Sequence, residues 1–220
     1  FSGGAGYDEA AVPRRLGRGS YLQQDGVVIK KYPCCGSAHL AVDAVLELLR
    51  TRQLDPSQVE EVEVRVDFDP PRSLVHHRPE TPLEAKFSME YCVAAALLDR
   101  RIDLDTFAVD QVMRPQAQEL LMKVRMARHP GFEGRPSLEE GYHRVRLQLK
   151  DGAVLEQVAR RATEGSIRGA TMKEVRSKFR DCASHALPVS QVERAQEMLD
   201  GLVALENVRE LGETLLGEGR

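Results

Sequence analysis

The stretch RVRLQLKDGAVLEQVA, residues 144–159, decides the fold class. Two strand-like segments flank Asp151-Gly152, and the first alternates polar with apolar residues, as a strand with one covered face does. Asp-Gly supplies the positive φ angles of a type I′ turn, so the stretch reads as an antiparallel hairpin. Upstream, VEVRVDF (62–68) alternates the same way and places Val62, Val64, Val66 and Phe68 on one side of a half-buried strand. KVRMARH (123–129) also reads as a strand, as does the short β-branched run GVVI (26–29).

Helix signals lie between and beyond these strands. Ser37 can cap a helix whose apolar positions are Leu40, Ala41, Ala44, Val45, Leu48 and Leu49, ending before Pro56. Thr81-Pro82-Leu83-Glu84 is a capping box with proline at the first helical position, and it predicts one helix through Leu98. A shorter helix covers 116–121, and the pairs Thr171/Glu174 and Ser190/Glu193 are two further capping boxes. Helices interleaved with an antiparallel hairpin predict an α+β fold, a small antiparallel sheet packed with helices. The expected division is a linker over 1–26, the α+β domain over 27–187 and a helical segment over 188–220.

Composition narrows the function. With 42% hydrophobic residues, the 220-residue chain can bury a substantial core. A net charge of -3 gives no whole-chain field for nucleic acid or an anionic membrane, and neither is expected as a partner. No apolar run is long enough to span a bilayer. Cys34, Cys35, Cys92 and Cys182 are too few and too irregular for a disulfide framework, so the expected location is cytoplasmic.

Chemistry concentrates in IKKYPCCGSAH (29–39). Adjacent Cys34 and Cys35 lack the spacing of a zinc site, and Cys92 and Cys182 stand isolated on predicted helices, so no metal is expected. A Cys/His nucleophile depends on geometry that spacing does not give, and small semi-buried cysteines at a tight turn outweigh it. An anion pocket fits the stretch better. A chain entering a helix at Gly36-Ser37 exposes backbone N–H groups at the positive end of the dipole. Strand alternation at Lys30 and Lys31 turns one ammonium to the pocket and the other to solvent, while Tyr32 and His39 add hydrogen-bonding capacity. A lysine pair beside a helix cap is equally an ordinary surface feature. The pair His76-His77 in a strand-to-helix loop suits carboxylate binding or proton transfer, against a plain solvated loop.

Several of these segments resemble the MmgE/PrpD family. IKKYPCCGSAH with LAVDAVLELL resembles its K-x-Y-P-x-C-x-x-x-H segment and following helix. PETPLEAKFSMEYCVAAALLDRRI is similar to its A-K-F-S helix, and LQLKDGAVLE and KEVRSKFRDCA to its late hairpin and K-F-R helix. The family includes 2-methylcitrate dehydratase, cis-aconitate decarboxylase and an iminodisuccinate epimerase. The resemblance covers the C-terminal half of a typical member; the large helical domain that begins such proteins is not among these residues, which open on Phe1, not Met.

The resemblance implies a cofactor-independent lyase acting on a polycarboxylate, with 2-methylcitrate dehydration as the first expectation. Epimerase, decarboxylase and non-catalytic carboxylate-binding fragment are the alternatives. It implies a homodimer, no iron–sulfur cluster or metal, and an active site completed by the helical domain, on which the final helices would pack. Lys30 would contact a substrate carboxylate and His76 would take part in catalysis. Cys34, Cys35, Gly36 and His39 would line the pocket. In the decarboxylase branch the position of Cys35 is histidine, a departure that counts against decarboxylation. An exposed apolar face is expected along Val192, Ala195, Leu199, Leu202 and Val203.

Overall fold

The computed structural model describes residues 13–14, 29–130, 141–160 and 170–216. Apart from Pro13, Arg14 and Ile29, the expected linker over 1–26 and the strand at 26–29 lie outside these residues. Four strands, β1 (Val59–Val66), β2 (Val124–Arg128), β3 (Tyr142–Leu149) and β4 (Val154–Arg160), form one sheet in the order β2-β1-β3-β4. The fold is α+β as expected, and the sheet is mixed: β1 runs antiparallel to β3, and β3 to β4, but β2 joins β1 in parallel. A parallel neighbour needs a crossover, and the helices between β1 and β2 supply it.

Alternation assigns the two faces. Val62 and Val64 stand opposite Leu147 and Val145 on one side and Val124 and Met126 on the other, making apolar rows across three strands. The reverse face is a charge ladder in which Glu63 lies between Arg125 and Arg146, and Arg146 faces Glu156. Helices α1 (His39–Thr51) and α3 (Met89–Asp99) cover the sheet; α1 packs on β3 and β4, and α3 on α1 and β2. Every residue of α3 from Met89 to Leu97 is buried, as befits a helix that is apolar on nearly all sides.

Local chemistry explains the boundaries, and it alters some expectations. Thr81 and Glu84 form the capping box of α2 (Pro82–Lys86), but the helix stops there. Ser88 caps a new helix by accepting the N–H of Tyr91 at 3.1 Å, so the single helix expected through Leu98 is two, α2 and α3. Two short helices follow, α4 (Val109–Met113) and α5 (Pro115–Leu121). The hairpin is present, with a different turn. Only Gly152 takes a positive φ, +87°; the Leu149 carbonyl accepts from Gly152 and the Leu149 N–H donates to Ala153. That is a three-residue loop closed by a left-handed glycine, a geometry that spares Asp151 the positive φ of a type I′ turn.

The C-terminal helices are α6 (Met172–Ser184), α7 (Val189–Asp200) and α8 (Val208–Leu216). Thr171 and Glu174 make the expected capping box. Ser190 does not cap, because α7 starts two residues earlier than that cap requires, at Val189 with Pro188 at its cap position. Val192 and Ala195 are buried among these helices, so the expected exposed stripe reduces to Leu199, Leu202 and Val203.

Candidate functional site

The segment 29–38 approaches α1 without forming a strand. The two lysines part company for a different reason than strand alternation. Lys31 is half-buried and bridges Asp43 on α1 at 2.7 Å and Glu174 on α6 at 2.6 Å. Burial works against its charge, but the two carboxylates outweigh it and hold its pKa above the usual lysine value. The Tyr32 hydroxyl donates to the same Asp43 at 2.6 Å, and burial together with that carboxylate pushes its pKa up. Lys30 is exposed, and its ammonium has no ion-pair partner among the described residues. Its carbonyl accepts a hydrogen bond from the Lys178 ammonium.

Beyond Pro33, Cys34 and Cys35 turn inward and are buried. Gly36–Ala38 then make one turn of 3-10 helix that passes directly into α1, with no side-chain cap, so Ser37 does not have its expected role. Gly36 is exposed, and a side chain added there would meet open space, leaving the start of the turn accessible. His39, the first residue of α1, sets its ring edge-on to Tyr32 at 5.2 Å, and its buried Nε2 has no hydrogen-bond partner among the described residues.

The break between α2 and α3 joins this turn to the histidine loop. The Cys35 N–H donates to the Lys86 carbonyl at 2.9 Å, and the His76 N–H to the Phe87 carbonyl at 3.4 Å. Cys35 Sγ also lies 3.2 Å from Ser73 Oγ. The two loops that spacing alone left separate therefore share one wall. His77 is committed elsewhere: its Nδ1 meets the buried Glu90 carboxylate at 2.7 Å. His76 is half-buried and lies near Glu84, whose carboxyl is held below its usual range chiefly by the N–H groups of Glu80 and Thr81.

Sequence reasoning missed the neighbours that α3 brings in. Cys92 is not isolated. Its thiol donates to the Ala85 carbonyl at 3.7 Å and lies beside Cys34. Of this buried pair Cys34 carries the favoured thiolate: Cys92 stabilises it most, burial opposes, and His39 and Lys30 assist. The Cys92 pKa is correspondingly raised, by Cys34 and by burial. Glu90, a carboxylate inside an apolar helix, was the one visible anomaly that pointed here. Among the described residues no three His, Cys, Asp or Glu side chains are arranged to hold a metal ion.

The family model of the MmgE/PrpD C-terminal domain matches residues 32–202. The chain belongs to the MmgE/PrpD family. Its curated relatives include cis-aconitate decarboxylase of Mus musculus, 29% identical over 203 residues, covering 89% of this chain and 41% of the relative. The Homo sapiens enzyme of the same name is 28% identical over 220 residues, covering 97% and 44%. That of Aspergillus terreus is 26% identical over 212 residues, covering 90% and 42%. The chain thus spans less than half the length of these MmgE/PrpD relatives. The family match begins at Tyr32, two residues after Lys30, and takes in the cysteine turn, the histidine loop, the hairpin and α6.

Proposed function

We propose that this chain supplies the carboxylate-holding wall of a cofactor-independent lyase that acts on a polycarboxylate. The observation that carries the reading is the exposed ammonium of Lys30, without an ion-pair partner among the described residues and close enough to favour the Cys34 thiolate, beside a wall shared by the Cys34-Cys35-Gly36 turn and the His76 loop. Elimination next to carboxylates requires a base for a carbon-bound proton and an acid for the departing group. As the proton leaves, the adjacent carboxylate gains negative charge, and a fixed cation stabilises it. Lys30 takes that part, His76 moves a proton, and Cys34, Cys35, Gly36 and His39 shape the pocket.

Two bond cleavages compete. The relatives named cis-aconitate decarboxylase favour loss of carbon dioxide. Cys35 favours loss of water, as in 2-methylcitrate dehydration, because a buried thiol held by Ser73 stands where the family resemblance implies a decarboxylase histidine. The test offers 2-methylcitrate and cis-aconitate to the chain, alone and with the helical domain of a family member in trans, following alkene absorbance and carbon dioxide release. Alkene from 2-methylcitrate supports water loss, and carbon dioxide from cis-aconitate supports decarboxylation. No turnover of either with the helical domain present would overturn the lyase reading. Lys30→Ala is expected to lower turnover by about 10²-fold, far more than Lys31→Ala; equal effects would remove Lys30 from its role.

A further inference from the structure

Of the neighbouring Lys30 and Lys31, only Lys30 has no ion-pair partner among the described residues. Asp43 supplies one of the carboxylates that pair Lys31, and the other comes from α6. None of its residues is buried, and a groove of about 290 Å³ runs beneath it, lined by Lys31, Tyr32 and Pro33 on one side and Glu174 and Lys178 on the other. Its attachments to segment 29–33 are polar: Glu174 pairs with Lys31 at 2.6 Å, and Lys178 holds the Lys30 carbonyl. Glu174 is itself fixed, since its carboxylate accepts the Thr171 N–H at 2.7 Å within the capping box.

We propose that Glu174 and Lys178 are positioning residues through which α6 selects Lys30, not Lys31, as the cation presented to substrate. Glu174, with Asp43, neutralises Lys31 and draws it toward α6. Lys178 pins the main chain one residue earlier, so the Lys30 side chain leaves from a fixed point and stays uncompensated. An ammonium already paired with two carboxylates has little charge to offer an incoming third. The proposal rests on the carboxylate-binding role given to Lys30.

The capping box makes a clean experiment possible. Glutamine at the third helical position still accepts the cap hydrogen bonds, so Glu174→Gln removes the ion pair while keeping the helix start. The chain is acylated with an amine-selective ester, and rates at Lys30 and Lys31 are read separately by tandem mass spectrometry. In the unaltered chain Lys30 is expected to react about tenfold faster, because a paired ammonium is harder to deprotonate. Glu174→Gln is expected to raise the Lys31 rate severalfold, and Glu174→Asp to restore much of the protection. Tricarballylate, an unreactive tricarboxylate, is expected to slow acylation of Lys30 alone in the unaltered chain and of both lysines in Glu174→Gln. Lys178→Met is expected to reduce that protection of Lys30, with Lys178→Arg restoring it. Equal lysine rates in the unaltered chain, or a Lys31 rate unmoved by Glu174→Gln, would overturn the selection by α6 even where tricarballylate protects Lys30. Protection of neither lysine would instead remove the carboxylate reading, and the positioning role with it.

Discussion

The sheet with α1 to α5 and the trio α6 to α8 are held together by different forces. In the first, one continuous apolar cluster runs from Tyr32 to Leu147 through both helices that cover the sheet. In the second, buried apolar side chains are few: α6 contributes none, α7 gives Val192 and Ala195, and α8 buries only Thr214. Its attachments are directional and charged: Glu174 to Lys31, Lys178 to the Lys30 carbonyl, His185 to Asp105 at 2.9 Å, and Arg176 to Asp200 at 2.9 Å. Apolar burial is strong and unselective, whereas half-exposed ion pairs are weak and depend on salt and pH. The contrast assigns stability to the sheet and fine placement to the helices beside it.

The contrast can be broken at several points. The largest effect is expected from Leu97→Ala, which empties a fully buried position in α3 and should lower unfolding stability by about 2–5 kcal/mol in urea titration. A loss below 1 kcal/mol would mean that the apolar cluster is not what holds this part. Tyr91→Phe removes the hydroxyl that donates to the Thr106 carbonyl at 2.5 Å and should cost about 1–3 kcal/mol, again across the whole sheet. Val192→Ala should cost about 1 kcal/mol and speed hydrogen exchange in α6 to α8 only. If exchange in β1 and β3 rises equally, the two parts unfold as one.

The smallest effect sharpens the electrostatic side. Hydrogen bonding to Asp105, then to the Asp181 carbonyl, raises the His185 pKa above its usual value near 6.5. A raised folded pKa stabilises the fold fully below the unfolded value, and that contribution is lost as pH rises through the folded one. Exchange of α6, corrected for intrinsic rates, should therefore accelerate from about pH 6.5 upward, and His185→Gln should flatten the profile. Raising salt should act in the same direction on α6 and leave α3 unchanged. A pH profile identical in His185→Gln would assign the holding force to the other contacts.

What the sequence made legible was local. Thr81/Glu84 and Thr171/Glu174 cap helices because their partners lie three residues away. The valines of β1 reveal their covered face by alternation alone. The break at Ser88 was also written locally, since Ser88 precedes a long apolar helix, yet the stronger capping box at Thr81 masked it. The parallel placement of β2 was not legible, because it depends on how 67–123 fold back over the sheet. Nor was the company of Cys34: Cys92 and His39 arrive from two helices, and no spacing rule relates them. The lysine pair was recognised as divergent, but of the two carboxylates that hold Lys31, Asp43 and Glu174, the second lies more than 140 residues away.

The interruption between α2 and α3 has a further consequence. In an unbroken helix the carbonyls of Lys86 and Phe87 would be used up by the following turn; here they receive the main-chain N–H groups of Cys35 and His76. Main-chain joints thus fasten both loops, as sockets are bolted to a bench, and the Cys35 thiol adds a side-chain contact to Ser73. An exchange of the half-buried side chain at 76 would leave these main-chain joints in place, whereas one at 35 would also have to fit a buried position and give up the Ser73 contact.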